Sequence, residues 1–117
     1  MTVGIMSTEA YKERTIAIAK GEYKIKKNEP KIWFESIKSL AQILSNENQE
    51  LLKIILENNP KSLKELESLT GRAKSNLSRT LKTLERYGIV ELHKENKALI
   101  AEVKATSFKV EFGLSAA

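Results

Sequence analysis

Residues 62–94 read SLKELESLTGRAKSNLSRTLKTLERYGIVELHK, and this stretch decides the fold. Ser62 and Glu65 have the spacing of a capping box, in which Ser62 begins a helix and Glu65 reaches back to it. Leucines then recur at three-residue steps, which predicts one apolar side on a short helix that ends near Thr70. Gly71 tolerates the positive φ that a sharp corner between two helices often needs.

A second, longer helix is predicted from about Ala73 to Tyr87, because Gly88 has the position of a C-terminal glycine cap. At 100° per residue, one side of this helix is expected to pack inward. Its members are Ala73, Leu77, Thr80, Leu81, Leu84 and Tyr87. The opposite side is basic and rich in hydroxyl groups, with Ser75, Arg79, Lys82 and Arg86 near its centre and Lys74, Asn76, Ser78 and Thr83 beside them.

The start of this second helix has an unusual charge pattern. Between Thr70 and Thr83 there is no acidic residue, whereas four cations occur there: Arg72, Lys74, Arg79 and Lys82. Such a surface suits a polyanion, and Arg and Asn side chains form paired hydrogen bonds with guanine and adenine edges in the DNA major groove. A merely solvated helix face is the alternative. The coincidence of a capped short helix, a glycine turn and a basic helix favours DNA contact.

Two strands are predicted next, Ile89 to His93 and Ala98 to Lys104, joined by residues 94–97. A hairpin from about Ile89 to Lys104 would be the wing of a winged helix-turn-helix. Its expected tip carries Lys94, Asn96 and Lys97, which suit phosphates or the minor groove, although Glu95 would repel phosphate. A solvated hairpin turn is the alternative here.

The segment GRAKSNLSRTLKTLERYGIVELHK resembles the recognition helix and the beginning of the wing in MarR-like winged-helix regulators. The resemblance covers about half of the chain, and the whole chain resembles small prokaryotic proteins classed as predicted transcriptional regulators. That family usually carries a Ser or Thr N-cap where this chain has Ala73, and losing such a cap costs on the order of 1 kcal/mol of helix stability. The residues that carry the resemblance are Ser75, Asn76, Leu77, Ser78, Arg79, Leu81, Leu84, Glu85, Gly88, Ile89 and Val90.

The remaining patterns predict a mainly α fold with a small β-sheet, of the α+β class. A helix is expected from Ser7 or Thr8 to about Lys20, and another over residues 36–44. A third helix, ending at Asn58, would bury Leu51, Leu52, Ile55 and Leu56. We therefore expect an N-terminal extension of helix plus strand over residues 1–35, a winged helix-turn-helix domain over residues 36–104, and a C-terminal strand and tail over residues 105–117.

Two strands are expected outside the minimal winged domain, at Ile32 to Phe34 and at Phe108 to Phe112. Each carries more apolar surface than a free edge should, so we expect them to pair with each other, within one chain or between two. Symmetric homodimers are the commonest oligomers, and regulators with one recognition helix per chain usually act as dimers. We expect Trp33 and the phenylalanines to form an ordinary core rather than a ligand pocket.

Composition argues against catalysis. The chain has one histidine, no cysteine and no aspartate, which excludes a Ser-His-Asp triad, a two-histidine metal site and an aspartate phosphotransfer site. The glycines are too scattered for a phosphate-binding loop. We expect no enzyme, no metal and no cofactor, with His93 as a wing or surface residue.

The net charge of +5 is unevenly placed, because residues 61–117 hold eleven cations and seven acids against nine and eight in residues 1–60. The sequence predicts a cytoplasmic, sequence-specific DNA-binding transcriptional regulator that binds double-stranded DNA as a homodimer. No apolar run approaches the roughly 20 residues of a membrane span, and no leader is apparent. The alternative is an antitoxin of a toxin–antitoxin pair, or a winged helix that binds a small protein partner.

Overall fold

The computed structural model describes residues 1–114, and residues 115–117, the end of the predicted C-terminal tail, lie outside the described part. The described chain is of the α+β class, with five helices and five strands. It divides into two compact units, one made of residues 1–41 and the chain from Ser107 onward, the other of residues 42–106. In chain order the elements are β1 (Thr2–Ile5), α1 (Thr8–Ala19), β2 (Ile32–Phe34), α2 (Ile37–Ile43), α3 (Asn46–Asn58), α4 (Leu63–Thr70), α5 (Lys74–Arg86), β3 (Val90–Glu95), β4 (Ala98–Val103) and β5 (Lys109–Glu111).

The first unit is built on a three-stranded parallel sheet in the order β2-β1-β5. Val3 of the central strand lies opposite Ile32 of β2 and Val110 of β5. The expectation that the two outer strands pair with each other is wrong, because β1 lies between them and pairs with both within one chain. Sequence patterns missed β1 because four residues that include Gly4 are too short to show a strand's alternation.

A cation–π cluster connects α1 to this sheet. Arg14 of α1 lies 5.1 Å from the ring centroid of Trp33 and 5.6 Å from that of Tyr23, and its Nη2 donates to Glu29 at 3.0 Å. Gly4 lies beneath Trp33, and a Cβ at position 4 would overlap the indole ring. The contacts between α1 and the sheet are made by the charged side chain of Arg14, and α1 buries no residue. The position of α1 agrees with the sequence prediction, and Ser7 is its N-cap.

The core of the second unit is a set of aliphatic side chains from three helices and the start of β3. Leu56, expected on the buried side of α3, is instead 46 % exposed. It lies about 95° from the centre of the side formed by the buried α3 residues, so it is at the margin of the packed stripe. The buried members are Leu51, Leu52, Ile55, Leu66, Leu77, Leu81, Leu84, Ile89 and Val90.

The corner between α4 and α5 follows the sequence prediction closely. Ser62 caps α4 by accepting a hydrogen bond from the Glu65 N–H at 3.0 Å, and Gly71 ends the helix in the left-handed region with φ 72°. The reciprocal half of the capping box is different from the prediction. The Glu65 carboxylate accepts from the Lys61 N–H at 3.1 Å and not from the Ser62 N–H. Lys61 lies one residue before Ser62, further from the helix.

The antiparallel hairpin β3–β4 has a shorter turn than the sequence suggests. Glu95 lies opposite Ala98, which leaves only Asn96 and Lys97 in the turn, with φ 50° and 69°. Positive φ at both positions matches the twist of the flanking strands, so a two-residue turn is favoured. Lys94, expected in the connection, therefore belongs to β3 and lies opposite Leu99.

We expect Leu81→Ala to lower the free energy of unfolding by about 2–5 kcal/mol, because the substitution leaves a cavity in a packed core. Leu81 has no solvent exposure, whereas Arg79 of the same helix is exposed. Arg79→Ala is the matched control and should change stability by less than about 0.5 kcal/mol. Urea denaturation followed by circular dichroism gives both values, and similar losses in the two variants would contradict the rotation of α5.

Candidate functional site

One side of α5 is basic and rich in hydroxyl groups. Leu77, Leu81 and Leu84 are completely buried on the other side, so they fix the rotation of the helix. The exposed side is called the α5 basic face below. Its members are Lys74, Ser75, Arg79, Lys82 and Arg86, which are exposed, and Ser78 and Thr83, which are half-buried.

Two of the expected contact residues, Arg72 and Asn76, hold the corner between α4 and α5. The Arg72 Nε donates to Asn76 Oδ1 at 2.9 Å, and its Nη2 donates to Thr80 Oγ1 at 3.1 Å. The Arg72 backbone N–H donates to Thr70 Oγ1 at 3.1 Å. Arg72 is thus a clamp on the first turns of α5 rather than a free cation.

The clamp also orients the Asn76 amide. The Arg72 Nε donates to Oδ1, which fixes the orientation of the amide. Because an amide oxygen has two lone pairs, Oδ1 keeps one acceptor position and Nδ2 keeps its donors.

The start of α5 is capped from a different helix. Glu67 of α4 accepts from the Lys74 N–H at 3.0 Å, while Ala73 supplies no side-chain cap. The carboxylate also lies at the positive end of the α5 dipole, where negative charge is stabilising. Glu67 was missed because the residue it caps lies seven positions along the chain, across the turn.

Ala73 was expected to pack inward, and it is exposed. It is the N-cap residue, with an extended backbone at φ −63° and ψ 144°. The helical period of 100° per residue therefore does not extend to it. The helix itself begins one residue later, at Lys74.

The tip of the β3–β4 hairpin carries two lysines with Glu95 between them. Lys94, Asn96 and Lys97 are exposed, and Glu95 Oε1 lies 3.8 Å from Nε2 of the neighbouring His93. Glu85 of α5 accepts from the Leu92 N–H at 3.3 Å, which ties the hairpin to the basic helix. The hairpin and the helix are thus fixed together in one unit.

Lys104, at the end of the predicted wing, is engaged with two acids. Glu91 and Glu102 lie opposite each other in the hairpin, a like-charge pair that is unfavourable by itself. Lys104 Nζ lies 3.2 Å from Glu102 and 3.5 Å from Glu91. The hydrogen bond with Glu102 and the charges of Glu102 and Glu91 raise the pKa of Lys104 above its usual value.

A family model described as HVO_A0114 matches residues 43–110, more than half of the chain. The chain belongs to the HVO_A0114 family. The segment shared with that family extends from the last residue of α2 into β5, so it contains the whole α5 basic face and the whole hairpin. No curated protein and no solved structure matches the chain.

In this member of the HVO_A0114 family the predicted site residues fall into three groups. On the α5 basic face, the side chains of Lys74, Arg79 and Lys82 make no hydrogen bond or ion pair within residues 1–114, whereas Thr83 Oγ1 donates to the Arg79 carbonyl at 3.1 Å. The pair Arg72 and Asn76 is engaged at the corner, and Lys94, Asn96 and Lys97 lie at or beside the hairpin turn. Within residues 1–114, no group of three His, Cys, Asp or Glu side chains could hold a metal ion. In the same residues, no helix combines the length and apolar character needed to cross a membrane.

We expect Glu67→Ala to lower the free energy of unfolding by about 0.5–2 kcal/mol, the usual cost of losing a helix cap. Ala73→Ser in the Glu67→Ala background should recover part of that loss, because a Ser at the N-cap can accept from the first amides of α5. Thermal or urea unfolding of the two variants measures the effect. Glu50→Ala, which removes an exposed carboxylate from α3, is the control for lost charge. Failure of Ala73→Ser to restore any stability would contradict the capping role.

Proposed function

We propose that this chain is a sequence-specific, DNA-binding transcriptional regulator with a winged helix-turn-helix, similar to the MarR-like regulators. In this proposal α4 and α5 are the helix-turn-helix, α5 is the recognition helix and the β3–β4 hairpin is the wing. The α5 basic face is the observation that supports the proposal most strongly. It combines exposed cations and hydroxyl groups with a helix that is held in one rotation by three completely buried leucines.

The arrangement of side chains supports a division of labour along α5. The first turns of a recognition helix contact base edges, so Ser75, Asn76 and Arg79 are proposed to face the major groove. Arg79 has the fork geometry that pairs with guanine, while Asn76 would donate from Nδ2. Lys74 and Lys82 are point charges suited to phosphates, which position the protein without reading sequence. Arg72 would contribute indirectly, by fixing the start of the helix.

The charge balance supports a local contact instead of a general attraction to nucleic acid. The excess of cations is modest, and Glu67 places a carboxylate beside the start of α5. A homodimer would bring two recognition helices to one site, with half-sites about 10 base pairs apart or a multiple of that spacing. Such a regulator would act in the cytoplasm, and we propose no catalytic role, metal or cofactor for it.

We expect Arg79→Ala and Lys82→Ala to weaken binding to the selected DNA site while leaving the melting temperature nearly unchanged, because both side chains are exposed. The loss for Arg79 should be about 5- to 100-fold and should relax sequence preference at one base pair. The loss for Lys82 should be similar on all sequences if it contacts phosphate. The site is first obtained by selecting bound fragments from genomic DNA, and affinity is then measured by fluorescence anisotropy.

Lys53→Ala is the matched control, because Lys53 is an exposed lysine on α3, outside the α5 basic face. It removes the same charge as Lys82→Ala and should leave affinity within about twofold if the contact is local. The affinity of the unmodified protein for DNA should fall on the order of tenfold or more between low and physiological salt, because neutralised phosphates release counterions. A flat salt response, or no fragment recovered above background, would overturn the proposal.

For the wing, we expect the double variant Lys94→Gln, Lys97→Asn to lose affinity for specific and nonspecific DNA alike. Asn is chosen at position 97 because the φ of 69° there is left-handed, a conformation that Asn tolerates. The plot of log affinity against log salt should become shallower by roughly one to two units, one for each lost phosphate contact. An unchanged slope, with an unchanged melting temperature, would mean that the hairpin does not touch the DNA backbone.

A further inference from the structure

The strand β5 and its two flanking residues carry a self-complementary sequence. Residues 108–112 read FKVEF, which has the same pattern of apolar, charged and apolar residues in both directions, with opposite charges at 109 and 111. If two copies of this segment ran antiparallel about Val110, Lys109 of each would lie opposite Glu111 of the other. Phe108 would then face Phe112, and Val110 would face its own counterpart. Each of these cross-strand pairs is favourable.

The hydrogen-bonding direction of β5 agrees with that register. The Lys109 N–H donates to the Met1 carbonyl at 2.8 Å, so it points toward β1. Backbone groups alternate in direction along a strand, and the N–H and C=O of Val110 therefore point to the free edge of the sheet. In an antiparallel pair centred on Val110, the two Val110 residues would exchange both of their backbone hydrogen bonds. Lys109 and Glu111 would occupy the intervening positions, where side chains approach more closely.

The β5 edge is also the accessible one. Val110 is 48 % exposed and Phe112 is 52 % exposed. Lys109 and Glu111 are exposed, and neither side chain has a hydrogen bond or ion pair within residues 1–114. An exposed strand edge with apolar side chains is a template for another strand, and natural proteins normally cover it.

The other edge of the sheet, β2, does not have these properties. Phe34 is buried, and Ile32 and Trp33 are half-buried. Glu35, which would have to pair with Lys31 of a second copy, already accepts from Thr8 Oγ1 at 3.3 Å. The exposed apolar residues and the pair of unpaired opposite charges therefore distinguish β5 from β2.

We propose that two copies of this chain associate through antiparallel pairing of β5, about a two-fold axis at Val110. The occupant of the β5 edge is a second copy because the sequence is complementary to itself, and an isologous contact requires that property. The two sheets would become one six-stranded sheet in the order β2-β1-β5-β5-β1-β2. This inference deepens the proposed function, which requires a homodimer, by assigning the surface that forms it.

Charge reversal tests the register directly. Lys109→Glu leaves a glutamate at both 109 and 111, and Glu111→Lys leaves a lysine at both. In a dimer of either variant, residues 109 and 111 of opposite copies therefore carry the same charge at both places where they meet. Each should weaken self-association on the order of tenfold at low salt. An equimolar mixture of the two variants restores opposite charges at both positions and should form a heterodimer. The double variant Lys109→Glu, Glu111→Lys should self-associate like the unmodified chain.

Sedimentation equilibrium of the full chain measures self-association, and native mass spectrometry of the mixture identifies the heterodimer. Val110→Pro is an independent variant, because it removes the outward N–H without removing a bond to β1, and it should give a folded monomer. Lys38→Glu, a reversal at an exposed α2 lysine, is the control and should leave the dimer intact. A monomeric unmodified chain would overturn the proposal, as would a dimer that is indifferent to the reversals at 109 and 111.

The two proposals fail separately because association is measured without DNA. If the mixture of the two variants forms a heterodimer but the unmodified chain binds no DNA, the β5 dimer is supported and the proposed function is wrong. If the dimer binds DNA but is unaffected by the substitutions at 109 and 111, the proposed function stands and the dimer contact lies elsewhere. Rescue that disappears in high salt is expected, since exposed charge pairs are screened.

Discussion

The burial of Leu77, Leu81 and Leu84 is the constraint on which the rest of the second unit depends. These side chains have no solvent exposure, so they hold α5 in one rotation about its axis. That rotation decides which side chains of α5 are packed and which are available on the opposite side. A helix that could roll would not present Arg79 and Lys82 at defined positions.

Hydrogen bonds of polar side chains stabilise the corner between α4 and α5 in addition to the apolar packing. Arg72 joins the turn to Asn76 and Thr80, and Glu67 caps the first amide of α5. Charged side chains that are used in this way are withdrawn from any external partner. The candidate surface is therefore smaller than the set of polar residues in the sequence, and its limits are set by which charges the fold itself employs.

The first unit poses a different physical problem, that of a small parallel sheet with two edges. At β2 the side chains are buried or half-buried and Glu35 is hydrogen-bonded, whereas at β5 both the backbone and the side chains remain available. An exposed edge strand promotes aggregation, because its unpaired backbone groups can pair with any other strand unless a partner covers them. The self-complementary segment at residues 108–112 gives that edge one preferred partner. A shift of the register by one residue places the charges opposite apolar side chains, and a shift by two residues places two identical charges opposite each other.

Local patterns in the sequence are sufficient to predict the helices, the corner at Gly71, the buried stripe of α5 and the existence of the hairpin. Those features depend on local signals: a period of 3.6 residues, caps within four positions and a turn between alternating strands. Three further features become apparent only in the folded chain: β1 lies between β2 and β5, Glu67 caps α5, and Arg72 is engaged. Each of these is a choice among several possible hydrogen-bonding partners that are distant in the chain or across a turn. Local periodicity carries no information about such choices, because they depend on which groups the packed core brings within about 3 Å of each other.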